Sequence, residues 1–223
     1  TPPSMPRHLI LIPTERERRR IGSLLAGPDA GDTVTELCGF GIAAAAARTA
    51  ALVASLRPAH VVLLGIAGAL DDRLAIGTAA RFDAVACHGI GAGSGQAFIP
   101  AATLGWRQWP GEPDDPGSAI GDVIPCAAPV RAGLRTERLL LTVTAAAASP
   151  EDVRHRKGIF PEASAEEMEG FGVALACRLA DVPCTIVRGI SNVAGDRDTT
   201  RWRVDEAVEA AADLARRIVL EER

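Results

Sequence analysis

The chain has 223 residues and nearly balanced charge, with 24 Lys and Arg against 28 Asp and Glu. The formal net charge of -4, without a basic stripe, argues against a nucleic-acid partner, and the length suits one domain, 1–223, with a sizeable core. No stretch approaches the ~20 apolar residues of a membrane span, and the apolar run from His8 to Ile12 is too short for a secretion signal. We therefore expect a cytoplasmic protein with no membrane partner.

Short apolar runs alternate with alanine-rich helical stretches along the chain. Runs bounded by Gly, Pro or charge predict buried strands at Leu9–Ile12, Val61–Leu64, Phe82–Cys87, Leu139–Val143 and Cys184–Val187. Helices are predicted at Arg16–Ala26, Ile42–Leu56, Pro150–Arg156, Gly170–Ala180 and Arg203–Leu220. This alternation indicates an α/β fold around a largely parallel sheet. The Gly- and Pro-rich segment Gly89–Pro129 fits neither pattern, which predicts long loops or an irregular insertion.

Cysteine and histidine spacing gives no indication of a metal site. The five cysteines form no C-x-x-C pair, so small buried thiols are expected instead of disulfides or structural zinc. The four histidines show no H-E-x-x-H or comparable ligand spacing. We therefore expect neither a metal ion nor a cofactor.

Polar side chains stand directly after four predicted strands, counting a further strand at Ser164–Glu167. In open α/β sheets, ligands bind outside the carboxyl ends of the strands, so these side chains are expected to meet at one rim. The segments are PTERE with Glu15 and Glu17, IAGAL at 66–70, Met168 with Glu169, and Ser191 with Asn192.

Each of these segments also has an ordinary structural interpretation. Glu17 lies in a charged run from Glu15 to Arg20, which by itself favours a solvated helix face. The GIAGAL segment lacks the Lys and Ser/Thr of a P-loop and the third glycine of a dinucleotide fingerprint, which favours tight packing at a strand end. Only its position after a strand favours a catalytic role for Glu17.

A family pattern is present in EEMEGFGVALACRLADVPCTIVRGISN, residues 166–192: E-M-E-G, an alanine-rich helix, V-P and then V-R-x-I-S-N. It resembles the nucleoside phosphorylase and nucleosidase superfamily, and the likeness covers most of the chain except Gly89–Pro129. Within that superfamily, ELCGFG, EEMEGFGVA and ISNVAGDRDTTRW are most similar to the futalosine hydrolases. The resemblance implies a single-domain, three-layer α/β/α fold with a mixed, largely parallel sheet, and an enzyme that hydrolyses the N-glycosidic bond of a nucleoside.

The resemblance assigns roles to the rim residues. Glu169 is expected to bind the ribose 2'- and 3'-hydroxyls, because a carboxylate accepts two hydrogen bonds from a vicinal diol and favours an oxocarbenium-like sugar. Met168 is expected to pack against the ribose, and Glu17 to take a proton from the attacking water, with Glu15 as the alternative base. Arg188 is expected to help order that water. The other expected substrate-binding residues are Ala67, Gly68, Ser191 and Trp202, the last at the 5' end of the nucleoside.

Two positions depart from the pattern of the relatives. Asn192 stands where adenine-specific members carry Asp; an amide cannot pass a proton to the leaving base, but it offers a donor to N7 or O6 and an acceptor, which suits hypoxanthine. Ile66 stands where relatives often place a hydroxyl beside water or phosphate. Its apolar side chain favours hydrolysis over phosphorolysis.

Other functions stay open at this point. A phosphorylase would need anion ligands, for which the candidates are Arg16, Arg18, Arg19 and Arg20. An adenine-directed nucleosidase is a further alternative, and a non-catalytic nucleoside-binding protein is disfavoured because Glu17 and Glu169 are both present. A nucleoside is the expected partner, and the resemblance implies a homodimer. Candidates for binding a 5' aromatic acid are Arg197, Arg201, His88, Phe98, Trp106 and Trp109.

Overall fold

A mixed sheet of eight strands forms the centre of the computed structural model, which describes residues 5–25, 33–127 and 134–221. The strands of this sheet are β1 (His8–Ile12), β2 (Thr33–Leu37), β3 (His60–Ala69), β4 (Ala79–His88), β7 (Val123–Pro125), β8 (Thr136–Val143), β9 (Ala163–Glu167) and β10 (Cys184–Val193), while β5 (Gly91–Ala92) and β6 (Ile99–Pro100) pair separately. The helices are α1 (Glu15–Leu25), α2 (Ile42–Leu56), α3 (Pro150–Ile159), α4 (Gly170–Leu179) and α5 (Val204–Glu221).

The strand order of the large sheet is β10-β4-β8-β9-β3-β1-β2, and β7 pairs with β4. Because β10 also pairs with β3, the strands β3, β10, β4, β8 and β9 close into a ring. The pairings β1–β2, β1–β3, β3–β10, β4–β8 and β8–β9 are parallel, whereas β4–β10, β3–β9 and β4–β7 are antiparallel. The predicted mixed, largely parallel sheet is thus confirmed.

Helices cover both faces of the sheet and bury its apolar side chains. On one face, α2 and α4 pack on the sheet through Leu52 and Phe171. On the other face, α1 and α5 pack through Ile21 and Val208. This arrangement is the predicted α/β/α layering, and none of the helices in the described ranges is long and apolar enough to cross a membrane.

All the predicted strands and helices overlap observed elements, but two strand ends were predicted too early. Strand β3 continues through Ala69 and β10 through Val193, because the two strands go on pairing with each other beyond the predicted ends. IAGAL and Ser191-Asn192 therefore belong largely to strands and not to the loops that follow them. The Gly- and Pro-rich segment forms the predicted irregular insertion, although 128–129 lie outside the described residues, as does Ala26 of the first predicted helix.

Gly189 of β10 packs directly against the backbone of α5. A Cβ added at Gly189 would lie 1.8 Å from the carbonyl oxygen of Ala207, a backbone atom that moves only if α5 moves. We expect Gly189→Ala to lower the free energy of unfolding by about 2 kcal/mol and the Tm by about 4–8 °C. The matched control is Gly158→Ala on the exposed face of α3, where an added Cβ meets nothing within 4 Å. Equal Tm values for the two variants in thermal unfolding would contradict this packing.

Candidate active site

A cavity of about 570 Å³ opens at the carboxyl ends of β1, β3, β9 and β10. Its walls include every residue that the sequence predicted for the site except Arg188. Those residues are Glu17, Ala67, Gly68, Met168, Glu169, Ser191, Asn192 and Trp202. The volume falls within the ~300–1,000 Å³ typical of pockets that enclose small molecules.

Glu17 is buried and held by two hydrogen bonds in the first turn of α1. The Thr14 hydroxyl donates to Glu17 Oε2 at 2.6 Å and accepts from the Glu17 backbone N–H at 3.3 Å. The Ile66 N–H donates to Oε1 at 3.2 Å, which ties the carboxylate to β3. Thr14 and Glu17 form the T-x-x-E spacing of a helix start, so the local sequence turns this acid inward while its neighbours face solvent.

Arg188 is fully buried directly behind the cavity wall. Its Nη2 donates to Oε2 of Glu167 and, at 3.3 Å, to Oε2 of Glu169. A Cβ added at Gly65 would lie 2.1 Å from Arg188 Nη1 and 2.9 Å from Glu17 Oε1, so the missing side chain lets this arginine approach Glu17. Burial disfavours the charge of Arg188, but Glu167, Glu169 and Glu17 outweigh burial and raise its pKa.

Glu169 carries a pKa that burial and neighbouring acids raise. It is the N-cap residue of α4, accepts from the Gly41 N–H at 3.0 Å through Oε1, and contacts Arg188 through Oε2. Desolvation raises the pKa of Glu169 most, Arg188 opposes that shift, and the charge of Glu167 adds to it, so that the pKa lies at about 7. Each oxygen of the ionised carboxylate keeps acceptor capacity for a further hydrogen bond from the cavity.

Glu167 is a structural acid for which the sequence analysis predicted no role. It accepts from the N–H of Glu169 at 2.9 Å, from the N–H of Gly170 at 2.8 Å and from the Thr142 hydroxyl, besides the contact with Arg188. Its negative charge therefore stabilises the N-terminus of α4. Glu167 joins that helix end and Arg188 into one buried unit, on which the position of Glu169 depends.

A β-bulge presents the Asn192 amide to the cavity. Pairing between β10 and β3 shifts after Ile190, so that Ser191 is the extra residue. The Ser191 hydroxyl donates to Asn192 Oδ1 at 2.8 Å, and Asn192 Nδ2 donates to the Val193 carbonyl at 2.9 Å. One hydrogen of the amide nitrogen is left to donate to a ligand.

A buried ion pair fixes the loop at 144–148, which forms the cavity wall beside Met168. Arg156 pairs with Oε2 of Glu166, whose Oε1 accepts from the Ala147 N–H at 2.8 Å. Arg156 Nη2 also donates to the Ala145 carbonyl at 2.7 Å. Ala147 and Ala145 of the loop are thereby held to β9 and α3. The pair was not predicted from the sequence, because Glu166 stands in the family segment EEMEGFGVA without an assigned role and Arg156 lies in no recognised motif.

Trp202 lies at the outer end of the cavity, close to Arg197. The Trp202 indole Nε1 donates to the Asp196 carbonyl at 3.3 Å, and the Arg197 guanidinium lies 5.6 Å from the ring centroid. Phe40, another aromatic of this end, is 65% exposed. The segment ELCGFG carried a family likeness in the sequence, but a contact of Phe40 with the site was not predicted.

The arginines of α1 occupy different surroundings. Arg18 and Arg19 pair with exposed Glu15 at 2.7 and 3.2 Å, and Arg20 pairs with Asp205. Arg16 and Arg20 line the cavity, whereas Glu15 does not. Of the side chains considered for a 5' aromatic acid, Arg197 also lines it, and Arg201, His88, Phe98, Trp106 and Trp109 do not.

Comparison with known proteins identifies the family. The family model of the phosphorylase superfamily matches residues 7–221. The chain belongs to the phosphorylase superfamily. Among curated members, the futalosine hydrolase of Streptomyces coelicolor is 34% identical over 193 residues, which covers 83% of this chain and 77% of that relative. The superfamily resemblance predicted from sequence is thus confirmed.

Solved structures of superfamily members share the fold. A 5'-methylthioadenosine/S-adenosylhomocysteine nucleosidase from Helicobacter pylori matches with a TM-score of 0.76 and 19% identity, covering 98% of this chain and 99% of that chain. The futalosine hydrolase of Helicobacter pylori strain 26695 matches with a TM-score of 0.75 and 18% identity, covering 97% of this chain and 98% of that chain. At these sequence identities the structural likeness shows the fold alone, and the substrate has to be inferred from the residues of the active site.

Proposed function

We propose that this superfamily member is a futalosine hydrolase, which cleaves the N-glycosidic bond of futalosine with water to give hypoxanthine and dehypoxanthine futalosine in menaquinone biosynthesis. The observation that carries the proposal is the joint presence of Glu17, Glu169 and Asn192 on one cavity. These side chains match the three parts of the reaction: water, ribose and a 6-oxopurine. The identity to a curated futalosine hydrolase supports the same substrate.

Glu169 binds the ribose in this proposal. The 2'- and 3'-hydroxyls donate to its two oxygens, which Gly41 and Arg188 hold in place from behind. Its negative charge stabilises the sugar as positive charge develops at C1'. Met168 lies beside Glu169 on the cavity wall and packs against the ribose.

Glu17 activates water. As the water oxygen attacks C1', one of its protons passes to Glu17 and the C1'–N9 electron pair leaves with the base. The Asn192 amide donates to N7 or O6 of the departing hypoxanthine, which takes its proton from solvent. Arg188 does not line the cavity, so it acts through Glu17 and Glu169 by holding both acids in position.

A phosphorylase is the enzyme alternative, and only part of the arginine cluster supports it. Arg18 and Arg19 are engaged by Glu15 outside the cavity, and Arg20 by Asp205. Arg16 therefore remains as an anion ligand, beside apolar Ile66. One exposed arginine is a weak phosphate site, which favours water as the nucleophile.

A substrate panel tests the proposal. Purified protein is given futalosine, inosine and methylthioadenosine, each with and without phosphate, and base release is followed. We expect the highest kcat/KM with futalosine and no effect of phosphate. Higher kcat/KM with methylthioadenosine would favour the adenine-directed nucleosidase, whereas binding of futalosine without base release would favour a non-catalytic nucleoside-binding protein.

Asn192→Asp is expected to shift base preference toward 6-amino purines. A protonated aspartic acid at this position donates to N7 while its other oxygen accepts from the 6-amino group, whereas the native amide meets that group donor to donor. The ratio of kcat/KM for futalosine to that for its 6-amino counterpart should fall about tenfold, as each mismatched buried pair costs roughly 1–3 kcal/mol. An unchanged ratio would show that Asn192 does not read the base.

Three expectations about the whole molecule remain predictions. A single domain agrees with a family match over residues 7–221. The homodimer is supported by large apolar side chains exposed on the insertion, among them Ile99 and Trp106. The cytoplasmic location rests on the sequence argument alone.

A further inference from the structure

The outer end of the cavity carries positive charge that the hydrolytic mechanism does not use. Arg16 on α1 and Arg197 in the loop after β10 are both exposed and both line this end. Arg20 lines it too, but it is paired with Asp205. Within the described ranges, no carboxylate lies at ion-pair distance from Arg16 or Arg197. A ligand group bound here would therefore meet uncompensated cations.

Arg197 is held in place without being neutralised. Its guanidinium lies 5.6 Å from the centroid of the Trp202 ring, and a hydrogen bond to the Asp196 carbonyl fixes the indole. The acids on either side of Arg197 are both engaged elsewhere, since Asp196 and Asp198 pair with Arg201 at 3.3 and 3.0 Å. The loop after β10 thus orients Arg197 at the cavity mouth, while the acids of this loop form ion pairs with Arg201.

The position of Arg197 corresponds to the 5' end of a bound nucleoside. With the base at Asn192, the ribose at Glu169 and the water at Glu17, the 5' substituent is the part of the nucleoside still to be placed. The cavity wall not yet used contains Arg197 and Trp202. An aromatic 5' substituent would therefore meet the indole, and an acid on it would meet the guanidinium.

We propose that Arg197 binds a carboxylate on the 5' substituent and thereby selects acidic nucleosides over neutral ones. The proposal rests on the proposed function for the orientation of the nucleoside. A guanidinium binds a carboxylate through two parallel hydrogen bonds, and the cation–π contact with Trp202 reduces the rotamer entropy that Arg197 loses on binding. Arg197 is thus a specificity-determining residue for the 5' group, remote from the bond that breaks.

Binding measurements test the proposal separately from turnover. In a Glu17→Gln background, which slows consumption of the ligand, Kd is measured calorimetrically for futalosine and for the analogue whose carboxylate is replaced by a carboxamide. We expect the acid to bind roughly fivefold more tightly, as for an exposed charge pair, and this ratio to fall to about one after Arg197→Gln. Arg203→Gln is the matched control, because Arg203 is an exposed arginine nearby that does not line the cavity.

Two results would overturn the assignment. Equal Kd values for acid and amide in the Glu17→Gln protein would show that no charge is read at the 5' end. A ratio that survives Arg197→Gln but is lost in Arg16→Gln would move carboxylate recognition to α1. Failure of the hydrolase proposal is distinguishable, since it would appear as no hypoxanthine release by the unmodified protein, whatever the Kd ratio.

Discussion

Glu17→Gln is expected to lower kcat for base release by about 10²–10⁴-fold while KM changes little. The amide keeps the size of the carboxylate but cannot accept a proton from water. Glu17 is suited to this role because Thr14 and the Ile66 N–H fix both of its oxygens at the cavity wall. Steady-state kinetics with futalosine measures the effect.

The matched control for this substitution is Glu15→Gln. Glu15 is an exposed acid of the same helix turn that pairs with Arg18 and does not line the cavity, so its variant should retain near-normal kcat. Near-normal turnover by Glu17→Gln, together with a large loss in Glu15→Gln, would reassign the base to Glu15.

Glu169→Gln is expected to damage both binding and turnover, with kcat/KM lower by about 100-fold. The amide can accept a hydrogen bond through only one atom, and it lacks the charge that stabilises the developing oxocarbenium ion. It also leaves Arg188 with one fewer carboxylate partner, Glu167 remaining as the other. An increase in KM without any loss of kcat would contradict a role in the transition state.

The pH dependence of kcat/KM provides an independent readout for Glu169. Because its pKa is raised to about 7, the carboxyl group is largely protonated at lower pH and ionises as the pH rises through that value. Diol binding needs the ionised form, so kcat/KM should rise through about pH 7, and Glu169→Gln should lack that limb. If the Glu169→Gln variant still showed the rise of kcat/KM through about pH 7, that rise would come from the titration of another group.

The raised pKa of Glu169 also predicts the direction in which the stability of the fold changes with pH. A carboxyl whose folded pKa lies above its unfolded value of 4.5 stabilises the fold at low pH, and this contribution is lost as the pH rises through about 7. Glu169→Gln removes the dependence. Relative to the variant, the unmodified protein should therefore lose stability between about pH 4.5 and pH 7.

The fold was predictable where elements are strongly apolar or end at clear signals. Ile42–Leu56 was predicted with the bounds observed for α2, because Pro58 follows two residues after the last helical residue. Strand β2 was missed: TVTEL is half-buried along its whole length at the edge of the sheet, so its sequence lacks the apolar run of a central strand. The ends of β3 and β10 were predicted too early for a different reason. Both strands contain glycines within their paired segments, and glycines in a sequence resemble turn signals.

The identities of the site residues could be predicted from the sequence, whereas the contacts that hold them in place could not. The predicted site residues gather at one cavity, with Arg188 behind it, because the family pattern identifies residues at strand ends. The contacts that support them were not predictable, since Glu167 pairs with Arg188 and Arg156 pairs with Glu166 in buried contacts between different elements. Neither residue type indicates such a pairing without the three-dimensional arrangement.

Attack of water on the glycosidic bond of futalosine is tested by analysing the products formed with and without phosphate. We expect hypoxanthine together with the free sugar hydroxyl, in amounts that phosphate does not alter. A sugar 1-phosphate, or the absence of hypoxanthine, would rule out hydrolysis of futalosine.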